Sequence, residues 1–272
     1  MVSSGFSKSP RPLALVTGAS SGIGSELARE LARDGHDLIL VARREMPMRN
    51  LAEDLAAGGV KATVMPANLG IINAASRLAA GLRSRGIGGI DVLVNNAGFG
   101  DYMEFTRPEP TKLVEMIQLN VTALTELTRE FLPGMVARGR GKVLLVGALA
   151  GFAPGPGAAV YHATKAYVHS LGEALDRELR GSGVTVTTLC PGPTDTGFSV
   201  AAGREAASQF SGSGLMTSAG VAREAYAALK EGRRMEVPGL TNKFQAAWVR
   251  FAPRLLLLTP AAQRFRRRSR LV

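Results

Sequence analysis

The chain has 272 residues, of which 46% are apolar and 20% are charged, and this composition suits one large α/β domain. No apolar run approaches 18 residues, which argues against a membrane-spanning helix, and the single cysteine, Cys190, excludes an intrachain disulfide. The net charge of +11 comes mainly from residues 238–272, which contain eight Lys or Arg and no acid. Because the rest is nearly neutral, we expect no nucleic-acid-binding face on the body of the protein.

Short apolar runs alternate along the chain with segments of helical periodicity. The predicted strands are 13–17, 37–42, 60–65, 91–95, 141–146 and 184–189. The predicted helices are 23–33, 48–57, 74–85, 111–131 (stopped near Pro133), 158–179 and 224–230. Most of the strands are apolar without alternation, which is typical of a parallel sheet covered on both faces. We therefore expect a doubly wound, Rossmann-like α/β sheet of about seven strands, with ligands at the carboxyl ends of the strands.

The domain organisation follows from the same patterns. Residues 1–11 read as a disordered leader without a signal peptide, and residues 12–237 as one dinucleotide-binding and catalytic domain. Residues 238–272 form a basic extension with an apolar stripe at helical spacing within 242–258. The stripe comprises Phe244, Ala247, Trp248, Phe251 and Leu255. Such a helix could pack on the body or on another subunit, or could lie on an anionic membrane surface, and both alternatives remain open.

A glycine-rich loop, TGASSGIG at 17–24, follows the first strand and opens the first helix. Its glycines allow a tight turn and close approach of a pyrophosphate, and the helix N-terminus offers free N–H groups and a positive dipole end. The alternative is a glycine-rich turn without a ligand. The expected contacts of this loop are Gly18, Ser20, Ser21, Gly22, Ile23 and Gly24.

A phenol and an ammonium group stand four residues apart at Tyr161 and Lys165, so that a helix would place them on one face. The unperturbed pKa of a tyrosine is near 10, which makes it a poor acid or base at neutral pH. A neighbouring cation favours the phenolate and would lower that pKa into a useful range. The pair is therefore interpreted as an acid–base centre, with a chance pair on a helix as the alternative.

Three further motifs accompany these two patterns: NNAG (95–98), Asn120 on the long helix and PGPTDT (191–196). With all five motifs in this order, the chain resembles the short-chain dehydrogenase/reductase family from residue 13 to about 235. The resemblance implies hydride transfer between a nicotinamide and a carbonyl or alcohol carbon. It implies Tyr161 as the general acid or base, Lys165 as the group that lowers its pKa and binds the nicotinamide ribose, and Asn120 as the holder of a water in a proton relay. It assigns further cofactor contacts to Asn95, Ala97, Gly98, Pro191, Gly192, Thr194 and Thr196, with Asn95 bracing the fourth strand as an alternative. A local hydrogen bond within the helix is the alternative for Asn120.

The end of the second strand predicts the cofactor. Arg43 and Arg44 stand where an NAD-binding chain would carry an acid that holds the ribose 2′-hydroxyl. A guanidinium pairs with a 2′-phosphate, so we expect NADP(H), unless both arginines are solvated loop charges. After the third strand, Asn68 replaces the family's common Asp near the adenine, followed by Leu69. We expect no metal site.

The family also has a serine, 13 residues before the tyrosine, that donates a hydrogen bond to the substrate oxygen. Here that position is Ala148, and no Ser or Thr occurs between Lys142 and Tyr161. Losing one such donor costs on the order of 10²–10³ in rate. An engineered Ser-to-Ala change and a natural variant of weak or altered activity both explain the alanine, and restoring the serine is predicted to raise kcat at least tenfold. The alternative function is an NADP(H)-binding sensor or partner protein with little turnover.

Residues 197–220 are rich in small residues and are expected to form a mobile lid over a hydrophobic carbonyl or alcohol substrate. The apolar side chains expected near the substrate are Phe99, Tyr102, Met103, Phe152, Pro154, Phe198, Val200, Phe210, Leu215 and Met216. The resemblance implies a homodimer or homotetramer through the two long helices. We expect a cytoplasmic protein that binds no nucleic acid, with peripheral membrane contact only through the basic C-terminus.

Overall fold

The computed structural model describes residues 11–196 and 215–252 and contains a seven-stranded parallel sheet. The sheet order is β3-β2-β1-β4-β5-β6-β9. The strands are β1 (Leu13–Thr17), β2 (Asp37–Ala42), β3 (Ala62–Pro66), β4 (Val92–Asn95), β5 (Gly141–Val146), β6 (Val184–Leu189) and β9 (Met235–Glu236). A separate two-stranded ribbon pairs β7 (Thr194–Asp195) with β8 (Met216–Thr217). The doubly wound parallel sheet predicted from the sequence is confirmed.

Helices cover both faces of the sheet. They are α1 (Gly22–Arg33), α2 (Glu45–Ala56), α3 (Ala74–Arg83), α4 (Pro110–Ile117), α5 (Leu124–Ala137), α6 (Ala159–Glu178), α7 (Ser218–Glu231) and α8 (Leu240–Phe251). Successive strand residues point to opposite faces, so Val16 packs in the core under α1, α2 and α7, and Leu15 in the core under α3, α5 and α6. The uninterrupted apolar composition of the strands follows from this double burial.

The predicted long helix over 111–131 is wrong in two respects. It is divided into α4 and α5 by a π-helical segment, Gln118–Ala123, and it continues through Pro133 to Ala137. A proline costs a helix one backbone hydrogen bond. Burial of Met135 in the core beyond the proline compensates for this loss, so tertiary packing overrides the local stop signal.

The chain order of the strands reverses at the boundary between β1 and β4. From β1 the sheet proceeds through β2 and β3 on one side, and through β4, β5, β6 and β9 on the other. In open α/β sheets the crevice at such a reversal, outside the carboxyl ends of the strands, is where ligands bind. The loops after β1, β2, β4, β5 and β6 therefore carry the residues that define the site.

Helix α8, the last one in the described ranges, turns the described part of its apolar stripe to solvent. Leu240, Phe244, Trp248 and Phe251 are 62–86% exposed, whereas Ala246 on another face is buried. The amide of Asn242 lies against Gly192 and Met216, which fixes the start of the helix on the domain. The expectation that the stripe packs on the body of the same chain is therefore wrong for its described members, and Leu255 lies outside the described residues. No helix in the described ranges is long and apolar enough to cross a membrane.

Candidate active site

The glycine loop after β1 forms the wall of the crevice. Gly18 and Gly22 have φ angles of 67° and 61°, in the left-handed region that favours glycine. A methyl group placed on Gly24 would stand 2.3 Å from the carbonyl oxygen of Gly18, so the first turn of α1 can approach the loop only without a side chain. Ser21 precedes α1 and makes no side-chain capping bond, which leaves the first-turn N–H groups available to a ligand.

A residue that the sequence analysis did not single out, Asn96, fixes this loop. Its side-chain amide donates to the carbonyl of Thr17 at 2.9 Å, and its backbone N–H donates to Thr17 Oγ1 at 2.9 Å. The neighbouring Asn95 points the other way and donates to Thr128 Oγ1 on α5 at 2.9 Å. Asn95 thus braces β4, and Asn96 joins β4 to the glycine loop. The NNAG motif contains both asparagines, but only the geometry separates their roles.

Arg44 lies beside the serines of the glycine loop. Its guanidinium donates to Ser21 Oγ at 2.8 Å and to Ser20 Oγ at 3.3 Å. Arg43 and Arg44 are exposed, and no carboxylate in the described part of the chain forms an ion pair with either. The Arg44 guanidinium and two hydroxyls therefore converge near the N-terminus of α1, with Arg43 next to Arg44 in the sequence, and this donor set suits a phosphate group.

Asn68 and Leu69, the two predicted cofactor contacts after β3, differ in their exposure. Asn68 is exposed, and its Oδ1 accepts a hydrogen bond from the N–H of Gly70 at 3.0 Å. Leu69 is buried in the core beneath α3. Any contact of Leu69 with a cofactor would have to come from its backbone.

Tyr161 and Lys165 lie side by side on α6, and both are buried. The Nζ of Lys165 stands 5.9 Å from the centroid of the Tyr161 ring and donates to the carbonyl of Val146 at 2.8 Å. Burial raises the pKa of Tyr161 and lowers the pKa of Lys165 to about 8. The expected lowering of the Tyr161 pKa is therefore not present in the protein alone, because burial of the phenol and the neighbouring Tyr102 both raise it.

Asn120 lies in the π-helical segment, a distortion frequent at functional sites. Its Oδ1 accepts from the N–H of Phe99 at 3.1 Å, and its Nδ2 donates to the Phe99 carbonyl at 2.9 Å and to Thr164 Oγ1 at 3.1 Å. The alternative of a local helical bond is wrong, since the amide joins α6 to the loop after β4. A methyl group on Gly98 would lie 3.0 Å from Asn120 Oδ1 and 3.6 Å from Lys165 Nζ, so that loop passes directly beside both side chains.

Ala148 follows β5 and lies in a small buried cluster with Tyr161, Met116 and Ala158. Tyr102, from the loop after β4, packs against this cluster, and its ring centroid is 5.8 Å from that of Tyr161. The alanine thus stands beside the predicted acid–base residue, where the family's serine is expected.

Two histidines hold the loop that carries Ala148. His169 is buried against Phe152, with ring centroids 4.5 Å apart, and its Nε2 lies 3.2 Å from Cys190 Sγ. His162 Nδ1 lies 2.7 Å from the carbonyl oxygen of Ala153. Phe152, which was expected near the substrate, packs on His169 instead.

The PGPTDT segment after β6 closes the crevice on the other side. Thr196 lies next to the glycine loop, since a methyl group on Gly22 would be 3.1 Å from its side chain. Thr194 Oγ1 donates to the carbonyl of Gly192 at 2.9 Å, and the carbonyl of Pro191 accepts from the N–H of Leu149. The loops after β1, β5 and β6 are thereby joined around one crevice.

The crevice can hold a dinucleotide. The left-handed glycines, the uncapped start of α1 and the hydroxyls of Ser20 and Ser21 fit a pyrophosphate, and the buried Tyr161 and Lys165 lie across the crevice. Fold and site together define a nucleotide-dependent oxidoreductase.

The family model described as short chain dehydrogenase matches residues 12–207, and the chain belongs to this family. An uncharacterized oxidoreductase of Myxococcus xanthus is 39% identical over 183 residues, which cover 66% of this chain and 70% of that protein. A short-chain dehydrogenase from Sphingobium yanoikuyae, solved in complex with NADPH, shares 33% identity with a TM-score of 0.78, over 87% of this chain and 91% of its own. The bulky-bulky ketone specific alcohol dehydrogenase from Comamonas testosteroni shares 30% identity with a TM-score of 0.74 over the same fractions.

Proposed function

We propose that the protein transfers a hydride between NADP(H) and a hydrophobic ketone or secondary alcohol, with Tyr161 as the acid or base. The observation that carries this proposal is the group of Tyr161, Lys165 and Asn120, buried together beside the glycine-loop crevice. General acid–base catalysis by a positioned side chain contributes typically 10²–10⁴ in rate. The alternative of a cofactor-binding sensor has no comparable observation in its favour.

The preference for NADP(H) over NAD(H) rests on the arginines after β2. Arg44 is held by two loop hydroxyls, and Arg43 adjoins it at the surface. A guanidinium binds a phosphate bidentately, and no acid stands there to hold a free ribose hydroxyl. The NADPH complex of the Sphingobium relative supports the same choice.

In the proposed reaction Tyr161, Lys165 and Asn120 each have a separate role. The nicotinamide supplies or accepts the hydride. Tyr161 Oη gives its proton to the carbonyl oxygen in reduction and takes it back in oxidation. Lys165 binds the ribose and holds positive charge near the phenol, and Asn120 holds a water behind Lys165 for proton return. Ala148 offers no donor to the substrate oxygen, and in a site without a substitute this loss slows turnover by roughly 10²–10³.

The substrate side is lined by apolar groups. Met103, Phe105, Leu113, Met116 and Val160 border a narrow cleft, too small as it stands for a ketone, that shares Met116 with the acid–base cluster and has Asp101 at one wall. Of the apolar residues expected near the substrate, Phe99 and Tyr102 lie beside Tyr161, and Met216 packs on the core and against Asn242 instead. Phe198, Val200 and Phe210 lie outside the described residues. The ketone specificity of the Comamonas relative supports a bulky carbonyl substrate. A lid over 197–220 remains a prediction.

The experiment that tests this proposal measures turnover and cofactor binding in the same proteins. NADPH oxidation is measured with a panel of aryl and aliphatic ketones, beside fluorescence titrations with NADPH and NADH, for the natural chain and for Tyr161→Phe. We expect turnover that falls at least 10²-fold in the variant while NADPH binding is retained. Tight NADPH binding without turnover of any ketone or alcohol would support the sensor instead.

We further propose two associations of this chain, one with copies of itself and one with a lipid surface. The outer surfaces of α4, α5 and α6 expose Val114, Ile117, Val136 and Tyr167, which supports a homodimer or homotetramer through these helices. The exposed face of α8 (Leu240, Phe244, Trp248, Phe251), followed in the sequence by an arginine-rich segment without acids, supports peripheral contact with an anionic lipid surface. The compartment we propose is the cytoplasm, which suits the buried free thiol of Cys190.

A further inference from the structure

Because position 148 is an alanine, another group must stabilise the negative charge that develops on the substrate oxygen. Ala148 and Tyr161 share one buried cluster, so the substrate oxygen that takes the proton of Tyr161 must lie close to the alanine. A methyl group cannot donate a hydrogen bond. A site that keeps the rest of the catalytic group needs a donor from another element.

Tyr102 is the residue whose placement meets this need. It packs against the cluster that contains Ala148, and its ring lies 5.8 Å from that of Tyr161, at an angle of 48°. The other described hydrophobic residues of this cluster and its lining, Met116, Ala158, Phe99, Ala150 and Val160, carry no side-chain donor. Among these hydrophobic residues, Tyr102 and Tyr161 are thus the two that can donate from a side chain. Two polar donors nearby are engaged elsewhere, since Lys165 Nζ donates to the carbonyl of Val146 and Asn120 Nδ2 to that of Phe99.

We propose that Tyr102 donates to the substrate oxygen the hydrogen bond that Ala148 cannot supply. The proposal rests on the proposed function and deepens it. In carbonyl reduction the carbonyl carbon gains the hydride of the reduced nicotinamide, and its oxygen gains the proton of Tyr161. Tyr102 keeps its own proton throughout, and its O–H dipole stabilises the negative charge that appears on the oxygen as the C=O bond is reduced.

The surroundings of Tyr102 suit a donor that does not itself ionise. Burial raises the pKa of its phenol to about 12, so that the hydroxyl stays protonated at any assay pH below that value. A phenol is also longer than a serine, so it can reach the reacting oxygen from the loop after β4 while the residue after β5 is small. Alanine at 148 and tyrosine at 102 are therefore complementary in size.

The test is a double-mutant cycle in the full chain. The natural protein, Tyr102→Phe, Ala148→Ser and the double variant are compared for NADPH-dependent reduction of an activated aryl ketone, with NADPH affinity measured separately. Tyr167→Phe is the matched control, because this tyrosine is partly exposed on α6 and its hydroxyl lies 2.8 Å from Thr125 Oγ1. Tyr161→Phe reports whether the reaction uses the proposed acid at all.

We expect Tyr102→Phe to lower kcat by roughly 10- to 10²-fold, with KM and the Kd of NADPH changed less than threefold. Ala148→Ser should restore most of this loss in the Tyr102→Phe background. In the natural chain it should raise kcat by a much smaller factor than the tenfold that the sequence alone predicts, because Tyr102 already supplies a donor there. Rescue by a serine distinguishes a hydrogen-bond donor from a ring that only fills space.

Two results would overturn the proposal and leave the proposed function intact. One is an unchanged kcat in Tyr102→Phe while Tyr161→Phe is inactive. The other is a loss in Tyr102→Phe that Ala148→Ser does not restore, or that appears in KM alone. Equal activity of Tyr161→Phe and the natural chain, or NADPH binding without turnover in every protein, would instead overturn the proposed function and this inference with it.

Discussion

The Nζ of Lys165 donates to the carbonyl oxygen of Val146 at 2.8 Å, which links the middle of α6 to the end of β5. The bond holds the amine at the carboxyl edge of the sheet, beside Asn120 and Gly98. Since Lys165 is 5% exposed, the amine is retained there at a cost in desolvation, which lowers its pKa to about 8. With that pKa the amine is still mostly protonated at neutral pH, beside the ring of Tyr161.

Substitution of Lys165 should impair catalysis and cofactor binding, whereas substitution of a lysine outside the site should not. Lys165→Met is expected to lower kcat/KM by at least 10²-fold, because the phenol loses its cation and the nicotinamide ribose loses a hydrogen-bond donor. In the natural chain, NADPH affinity should fall as pH rises through about 8, because the free amine is then neutral. Isothermal titration at pH 6.5, 8 and 9.5 measures this. Lys142→Met, at the opposite end of β5, is the control, and equal pH profiles for both variants would contradict the assignment.

Substitution of Arg44 should change cofactor preference. Arg44→Ala removes a guanidinium from beside Ser20 and Ser21, so the Kd of NADPH should rise at least tenfold while that of NADH changes less than threefold. The control is Arg49→Ala on α2, the helix that begins directly after Arg44; the Arg49 guanidinium pairs with Glu45. A parallel rise for NADPH and NADH would show that Arg44 supports the loop rather than the 2′-phosphate.

Substitution of Asn96 should loosen the glycine loop. Asn96→Ala deletes the bond to the carbonyl of Thr17 and leaves that oxygen without this donor, which costs about 1–3 kcal/mol for a buried group. We expect weaker binding of both NADPH and NADH, by fluorescence titration, with a lower Tm. Asn95→Ala should lower Tm through the lost bond to Thr128 but change cofactor affinity less. Similar affinities for the two variants would contradict separate roles.

The strands and the site were predictable to different degrees, for physical reasons. β1, β2, β5 and β6 are apolar runs bounded by turn residues, and their predicted limits match the structure. The two-residue strands β7, β8 and β9 are too short to show any periodicity. The contrast between Asn95 and Asn96 depends on which face of the strand end each side chain occupies, and the placement of Tyr102 beside Ala148 depends on the course of a loop. Neither can be predicted from the spacing of residues in the sequence.

The exposed face of α8 should confer binding to anionic lipid. Vesicles containing phosphatidylserine should float the protein at low salt and release part of it at high salt, because bound arginines are screened. Phe244→Ser combined with Trp248→Ser should reduce flotation, whereas Val114→Ser, on the exposed surface of α4, should not. Absence of flotation at low salt in the natural chain would contradict membrane contact and would favour a protein partner for this face.

His169 makes the fold sensitive to mild acid. It is buried between Phe152, Gly147 and Cys190, and burial is the main cause that lowers its pKa to about 4. In the unfolded chain the pKa of a histidine is about 6.5. Between these values the unfolded state binds more protons than the folded state, so the free energy of unfolding should decrease as pH falls from about 6.5 to about 4, by up to about 3 kcal/mol.

Urea unfolding between pH 7 and pH 4.5 measures this slope. His169→Gln should be less stable than the natural chain at pH 7, because it loses packing against Phe152, but it should lose less further stability on acidification. The control, His36→Gln, should retain most of the slope, because His36 is only partly buried, and its hydrogen bond to the Leu31 carbonyl and then the carboxylate of Asp34 oppose the lowering of its pKa by burial. If His169→Gln and the natural chain show the same dependence on pH, other groups cause the acid sensitivity. A neutral, unprotonated His169 keeps the loop that carries Ala148 in contact with α6 at neutral pH.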